Sequence, residues 1–249
     1  MRHLSSIAEL LARLDPPFTA EGLFDHLPDL AFFIKNARAE YLVVNQTFVD
    51  RCGLRRKADL IGRTSSQVYP PPFGERYEEQ DRKLLRTGRP LTGQLELHLF
   101  PSRDVGWCLT TKLPLMGADG RILGLVGVSQ DLRHPNLGAE EYRHIAAAVT
   151  YAEAHLADPP ALADLARIAE MSPYQLDRRM RHVFGLTTGQ WLLKLRIDLA
   201  QRQLAATDEP IAAIAHECGY QDQSAFTRQF RQATGLTPRE YRSGRSGRP

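Results

Sequence analysis

Two stretches near the C-terminus of the chain repeat one another, and this duplication limits the folds open to it more than any other feature. Leu162-Ala163-Asp164-Leu165-Ala166 and Ile211-Ala212-Ala213-Ile214-Ala215 share the spacing of apolar residues and alanine at an offset of 49. Further on, Leu176, Arg178, Met180 and Gly185 match Phe226, Arg228, Phe230 and Gly235 at an offset of 50. The second copy therefore has one added residue in its internal turn. Each copy reads as a short helix, a tight turn and a second helix. In the second copy Pro210 suits a first helical turn, Gly219 supplies the positive φ that ends that helix, and Asp222 is a ready N-cap for Gln223 to Ala233. In the first copy Ser172-Pro173 is an N-cap followed by a proline at the first helical position, for a helix ending before Gly185. Ala166 and Ala215 are small enough to let the two helices of each copy cross closely.

Between the copies, Thr188 to Ala206 carries Trp191, Leu192, Leu195 and Leu199 together with the offset series Leu193, Ile197, Ala200, Leu204. Apolar residues on more than one side predict a long helix that packs against both units and fixes their separation. Charge follows the same division. From Ser172 onward there are 12 basic and 7 acidic residues, against 20 and 22 in the rest of the chain, so a net charge of only +3 hides a basic C-terminal part where a polyanion can bind.

The duplicated pattern, above all Ile211 to Tyr241, closely resembles the C-terminal domain of the AraC/XylS family of transcription activators, over about residues 140 to 243. The resemblance implies an all-α domain of two helix-turn-helix units, in which the second helix of each unit enters the major groove of double-stranded DNA. Carried over position by position, the base-facing candidates are Tyr174, Asp177 and Arg178 in the first unit and Gln223, Ser224, Ala225 and Arg228 in the second. Arginine can bond two guanine acceptors, an amide reads adenine, and an aspartate accepts from cytosine N4. Arg181 and Arg231 are placed for phosphates, which position a protein without reading sequence. Two departures stand out: Met180 sits where the family has Phe, and Asp177 brings a negative charge towards phosphates.

The N-terminal part changes to mixed patterning. Ala31 to Lys35 and Tyr41 to Val44 are β-favouring runs around an Asn36–Glu40 turn, and polar helical sequence follows, including Glu75 to Arg86. Three strands close the segment: Leu95, Leu97 and Leu99 in alternation, Trp107 to Leu113, and Ile122 to Val128 after the turn at Ala118-Asp119-Gly120. Leu27 to Lys35, Asn45-Gln46-Thr47-Phe48, Gly53, Ile61-Gly62 and Asp119 to Asp131 occur in the order of a PAS domain, which this region resembles. The resemblance implies an α+β domain, a five-stranded antiparallel sheet with short helices. It also implies either a small-molecule ligand in an interior cavity or a module that only dimerises or binds a partner protein.

The resulting division is an amphipathic helix within 1–22, with Ser6 and Glu9 as a capping box, the PAS-like domain over 23–133, a linker and connecting helix over 134–157, the DNA-binding domain over 158–243 and a tail over 244–249. Leu137-Gly138 reads as a hinge, and Tyr142, Ile145, Ala146, Val149, Ala152 and Leu156 as one helical stripe able to carry a signal.

Several classes are set aside by the residues. Cys52, Cys108 and Cys218 are odd in number and widely spaced, which gives neither a zinc site nor a disulfide framework and fits a cytoplasmic protein. Cys52 and Cys108 read as small buried hydrophobes. His98, considered as a haem ligand, alternates away from Leu95 and Leu97 and reads as a solvated or interface histidine. No cofactor motif, signal peptide or membrane span is present. A DNA-repair methyltransferase with the same DNA-binding half would need an upstream cysteine cluster that is missing, so no enzymatic activity is expected. Family resemblance adds RNA polymerase and a second copy of the chain as partners, and activation as the direction of control.

Overall fold

Apolar residues alternating with polar ones, cut by turns rich in Asn and Gly, produce the expected strands in the first part of the chain. The computed structural model describes residues 11, 13–15, 17–99, 105–132 and 140–245. Most of the N-terminal helix expected within 1–22, and the hinge expected at Leu137-Gly138, lie outside the described residues. The chain divides into two units, the first made of Met1–Gly93, Leu99–Asp104 and Thr110–Gln130, the second of Gln94–His98, Val105–Leu109 and Asp131–Pro249.

The first unit begins with a short helix, α1 (Glu21–Phe24), followed by β1 (Leu30–Asn36) and β2 (Tyr41–Val44). Helices α2 (Gln46–Arg51), α3 (Ser65–Val68) and α4 (Phe73–Thr87) come next. The chain then returns through β3 (Leu91–Leu99), β4 (Val105–Met116) and β5 (Ile122–Asp131), giving a five-stranded sheet in the order β2-β1-β5-β4-β3. Strand β1 is antiparallel to both its neighbours, with Phe33 opposite Val44 on one side and Gly127 on the other. The hairpin turn is held by Asn36, whose Oδ1 accepts from the backbone N–H of Arg38 and Glu40 at 2.9 and 3.1 Å.

Asn45 explains why its motif is recognisable. Its Oδ1 accepts from Phe32 N (2.9 Å) and Phe48 N (3.1 Å), while its Nδ2 donates to the carbonyls of Phe24 (3.0 Å) and Leu30 (2.8 Å). One fully bonded, buried amide thus pins β1 to the start of α2, which an apolar residue of the same size cannot do. The core beside it is aromatic: Phe33, Tyr41, Phe48, Tyr69 and Tyr77 are all buried, with neighbouring rings 5.0 to 6.4 Å apart.

Within this core lies a charged cluster that the sequence did not announce. Lys35 of β1 and Lys112 of β4 both bond the carboxylate of Asp81 in α4, the second at 2.6 Å, and all three side chains are at most 4% exposed. Lys35 Nζ also donates to Ser65 Oγ at 2.7 Å and lies 3.9 Å from the centre of the Tyr41 ring. Burial lowers the Lys35 pKa to about 8, against the opposing pull of Asp81.

His98 departs from its expected place. It is only 6% exposed, and its strand neighbours Leu95, Glu96 and Leu97 are at most 3% exposed. Both faces of this strand are covered, so alternation, which marks a wet face only where one exists, could not locate it. Cys108 is buried as a small hydrophobe is, Cys52 is only partly so, and Cys218 is buried as well; burial pushes the Cys52 and Cys218 thiols up to about 12.

The second unit is built on seven helices among the described residues: α5 (Glu140–Ala154), α6 (Leu162–Ile168), α7 (Pro173–Phe184), α8 (Thr188–Ala206), α9 (Ile211–Glu217), α10 (Gln223–Thr234) and α11 (Pro238–Arg245). Its core takes in Ile145 and Val149 of α5, Leu165, Leu176, Met180, Ile197, Ile214, Phe226 and Phe230. Of the expected stripe Ile145, Val149 and Ala152 are buried, with Ala148 added, while Tyr142, Ala146 and Leu156 are half-buried and Leu156 lies beyond the helix; α5 packs on α6 and α7. Also inside this unit, Trp107 Nε1 donates to Asp198 of α8 at 2.9 Å. Among the described residues no helix is long and apolar enough to cross a membrane.

Candidate nucleic-acid interface

The duplication seen in the sequence is carried into backbone geometry. The first helices of the two copies, α6 and α9, each have 7 residues, and the second helices, α7 and α10, each have 12, so the copies match element by element in length. Ala166 and Ala215 are both 1% exposed, as a close crossing requires. Pro210, expected in the first helical turn, stands as the N-cap of α9. The turn position that Gly219 fills at φ 74° in the second copy is held in the first by Glu170 at φ 54°. Glycine adopts this left-handed conformation without the Cβ clash that Glu170 must bear.

Both second helices start on a side-chain cap. Ser172 accepts from Gln175 N at 3.2 Å while Gln175 Oε1 accepts from Ser172 N at 2.9 Å, and Asp222 accepts from Ala225 N at 2.7 Å. Each ends at a left-handed glycine, Gly185 or Gly235. Leu176, Met180 and Val183 on α7, and Phe226, Phe230 and Ala233 on α10, are buried at helical spacing. The opposite face of each helix is therefore presented to solvent. On α7 it shows Tyr174, which is 75% exposed, with Arg178 and Arg181; on α10 it shows Gln223, Ser224, Arg228 and Arg231. Arg178 and Arg228, like Arg181 and Arg231, occupy equivalent places in the two copies.

Two of the expected base-facing residues do not lie on this free face. Asp177 turns back to α8, where its Oδ1 accepts from the backbone N–H of Thr188 (2.8 Å) and from its hydroxyl (2.6 Å), with Arg181 a further 3.8 Å away from its other oxygen. The acidic residue is engaged at the N-terminus of the connecting helix instead of standing free on the solvent face. Ala225 is half-buried and packs against the core, one position short of the buried Phe226.

The connecting helix grips the second copy by a different device. Arg196 of α8 donates through Nε to Cys218 O (2.6 Å) and through Nη2 to Gly219 O (2.7 Å), and its guanidinium lies 3.8 Å from the Tyr220 ring centre. These carbonyls are orphan acceptors at the end of α9, so a cation there completes the helix. Thr188 and Arg196 are thus the residues that tie the strut to each unit. Neither was singled out from the sequence; for Thr188 the signal was present in Thr187-Thr188-Gly189-Gln190, a capping box that forms between Thr187 and Gln190.

A helix-turn-helix domain model matches residues 165–244, and a PAS fold model matches residues 24–135. The arabinose operon regulatory protein of Escherichia coli is 35% identical over 100 residues, covering 39% of this chain and 34% of its own length. The HTH-type transcriptional activator RhaS of an Enterobacter species is 33% identical over 97 residues, covering 39% of this chain and 35% of its own. The chain thus spans about a third of the length of each of these curated relatives. Among solved structures, the DNA-binding domain of AdpA in complex with a target DNA is 35% identical, covering 42% of this chain and 96% of that one with a TM-score of 0.40.

Proposed function

We propose that this chain, which carries a PAS fold ahead of an AraC-type helix-turn-helix domain, is a sequence-specific DNA-binding regulator of transcription. The observation that carries the reading is the pair of equal helices, α7 and α10, that display arginines at matching positions on their solvent faces. A guanidinium on such a face can bond the acceptors of guanine, and one a turn further on can meet a phosphate. The strut α8 holds both helices, and two readers so joined suit two successive major-groove segments, spaced on the order of 34 Å. Footprinting of the full chain on a duplex selected from a random pool tests this: two protected segments one turn apart are expected, and protection confined to one groove contradicts the two-reader arrangement.

The same reading makes the PAS unit the receiver of a small ligand or partner, and activation through RNA polymerase the output. Helix α5 is the proposed route, since it follows the PAS fold in the chain and is buried with α6 and α7. A flexible Gly-Ser insertion after Gly138 should leave DNA affinity intact and abolish the response to the inducing signal. An unchanged response removes this route.

A further inference from the structure

Beside α10 the second unit leaves a groove of about 610 Å³ that its own side chains do not fill. Gln223 and Thr227 of α10 form one wall, the start of α9 at Pro210 and Ile211 another, and Arg239 and Arg242 of α11 the third. The donors here are largely unspent. Among the described residues the Arg239 guanidinium, the Gln223 amide and the Thr227 hydroxyl make no internal hydrogen bond or ion pair. Arg242 uses Nη2 on Glu209 O at 2.6 Å, which fixes its head at the groove. Two acids of the adjoining helix starts are already engaged: Asp222 accepts from Ala225 N at 2.7 Å, and Glu240 from Thr237 N and Oγ1 at 2.7 and 2.8 Å, while Asp208 and Glu209 stand exposed just before α9.

The duplication supplies an internal comparison. Fifty residues earlier, the positions of Thr227, Arg239 and Arg242 are held by Asp177, Gly189 and Leu192. The first copy therefore lacks both arginines and places an engaged carboxylate where the second has a free hydroxyl.

We propose that this groove grips a phosphate of the DNA backbone, so that the second unit anchors the duplex more firmly than the first; the proposal rests on the DNA-binding reading above. A guanidinium, a hydroxyl and an amide are the donors that suit phosphate oxygens. Gln223 belongs both to the groove and to the solvent face of α10, so the site continues the surface that meets the bases.

Arg239→Gln in the full chain tests this, because Arg239 is exposed and has no internal partner to lose. Affinity for the selected duplex and for a scrambled one should fall by the same factor, and the slope of log K against log salt should flatten by about one unit. Neutralising single phosphates as methylphosphonates should find one position that weakens the wild type and leaves Arg239→Gln unaffected. Duplex binding with an unchanged salt slope overturns the groove and leaves the DNA-binding reading standing, whereas failure to bind any duplex removes both. Titration with inorganic phosphate alone separates the remaining source: saturation that leaves duplex affinity unchanged would assign the groove to a free anion and overturn the proposal.

Discussion

Asp177 Oδ1 takes both the backbone N–H and the hydroxyl of Thr188, at 2.8 and 2.6 Å, and so joins α7 to the strut. Removing the carboxylate unties α7 from α8 and leaves the first amide of α8 without its acceptor. Asp177→Ala should destabilise the chain by about 1–2 kcal/mol, measured by urea unfolding, and Asp177→Asn by less because it keeps an acceptor oxygen. Base preference in a selected pool should stay the same. Altered preference at one position with unchanged stability would make Asp177 a reader after all.

Arg228 and Arg231 lie on one face of α10, a turn apart, and should fail differently. Arg228→Ala should cost roughly 1–3 kcal/mol on the selected site and much less on random DNA. Arg231→Ala should weaken all sequences alike and reduce the salt slope. Equal behaviour of the two in a binding-site selection would refute this division of labour.

Glu170 and Gly219 hold the same left-handed turn in the two copies. Glu170→Gly relieves a Cβ clash and should stabilise the chain by up to about 1 kcal/mol, after the entropy that glycine loses on folding is subtracted. Gly219→Ala should do the reverse more strongly, since a Cβ there would lie 2.5 Å from Leu156 O and 2.7 Å from Pro159 Cδ. Thermal melting of both variants decides; a stabilised Gly219→Ala would contradict the geometry.

Asp81 is the carboxylate that pairs with both Lys35 and Lys112 in the PAS unit. Asp81→Asn leaves two buried ammonium groups facing a neutral amide and should cost roughly 3–5 kcal/mol. Lys35→Met should cost less, because Asp81 keeps Lys112. A reversed order in denaturant unfolding would show that the cluster is held by other groups.

Glu78 provides the acid dependence. Burial works to raise its pKa, but hydrogen bonds from Ser66, Thr64 and Arg82 outweigh this and hold it at about 2 instead of 4.5. A carboxylate depressed in the folded state adds stability that is complete above its unfolded pKa and is lost as pH falls towards the folded one. Between pH 4.5 and about 2 the wild type should therefore lose stability relative to Glu78→Gln. Parallel acid titrations of the two would count against these bonds.

The sequence by itself determined the repeats, the strut and the order of strands, because each is written in local terms. Capping residues such as Ser172 and Asp222, the glycines that end α7 and α10, and the period of the buried leucines and phenylalanines act within one or two turns of backbone, so their meaning survives without the fold. The solvent positions of Arg178, Arg181, Arg228 and Arg231 were legible for the same reason: they are what remains once the core stripe is removed. Tertiary structure alone decided where the polar side chains that bond at long range find their partners. Asp177 reaches a partner eleven residues away, Arg196 reaches carbonyls 22 and 23 residues away, and Lys35 and Asp81 meet across 46 residues. No periodicity records such distances, and a charged residue reads the same in sequence whether it faces DNA, caps a neighbouring helix or lies buried in a sheet.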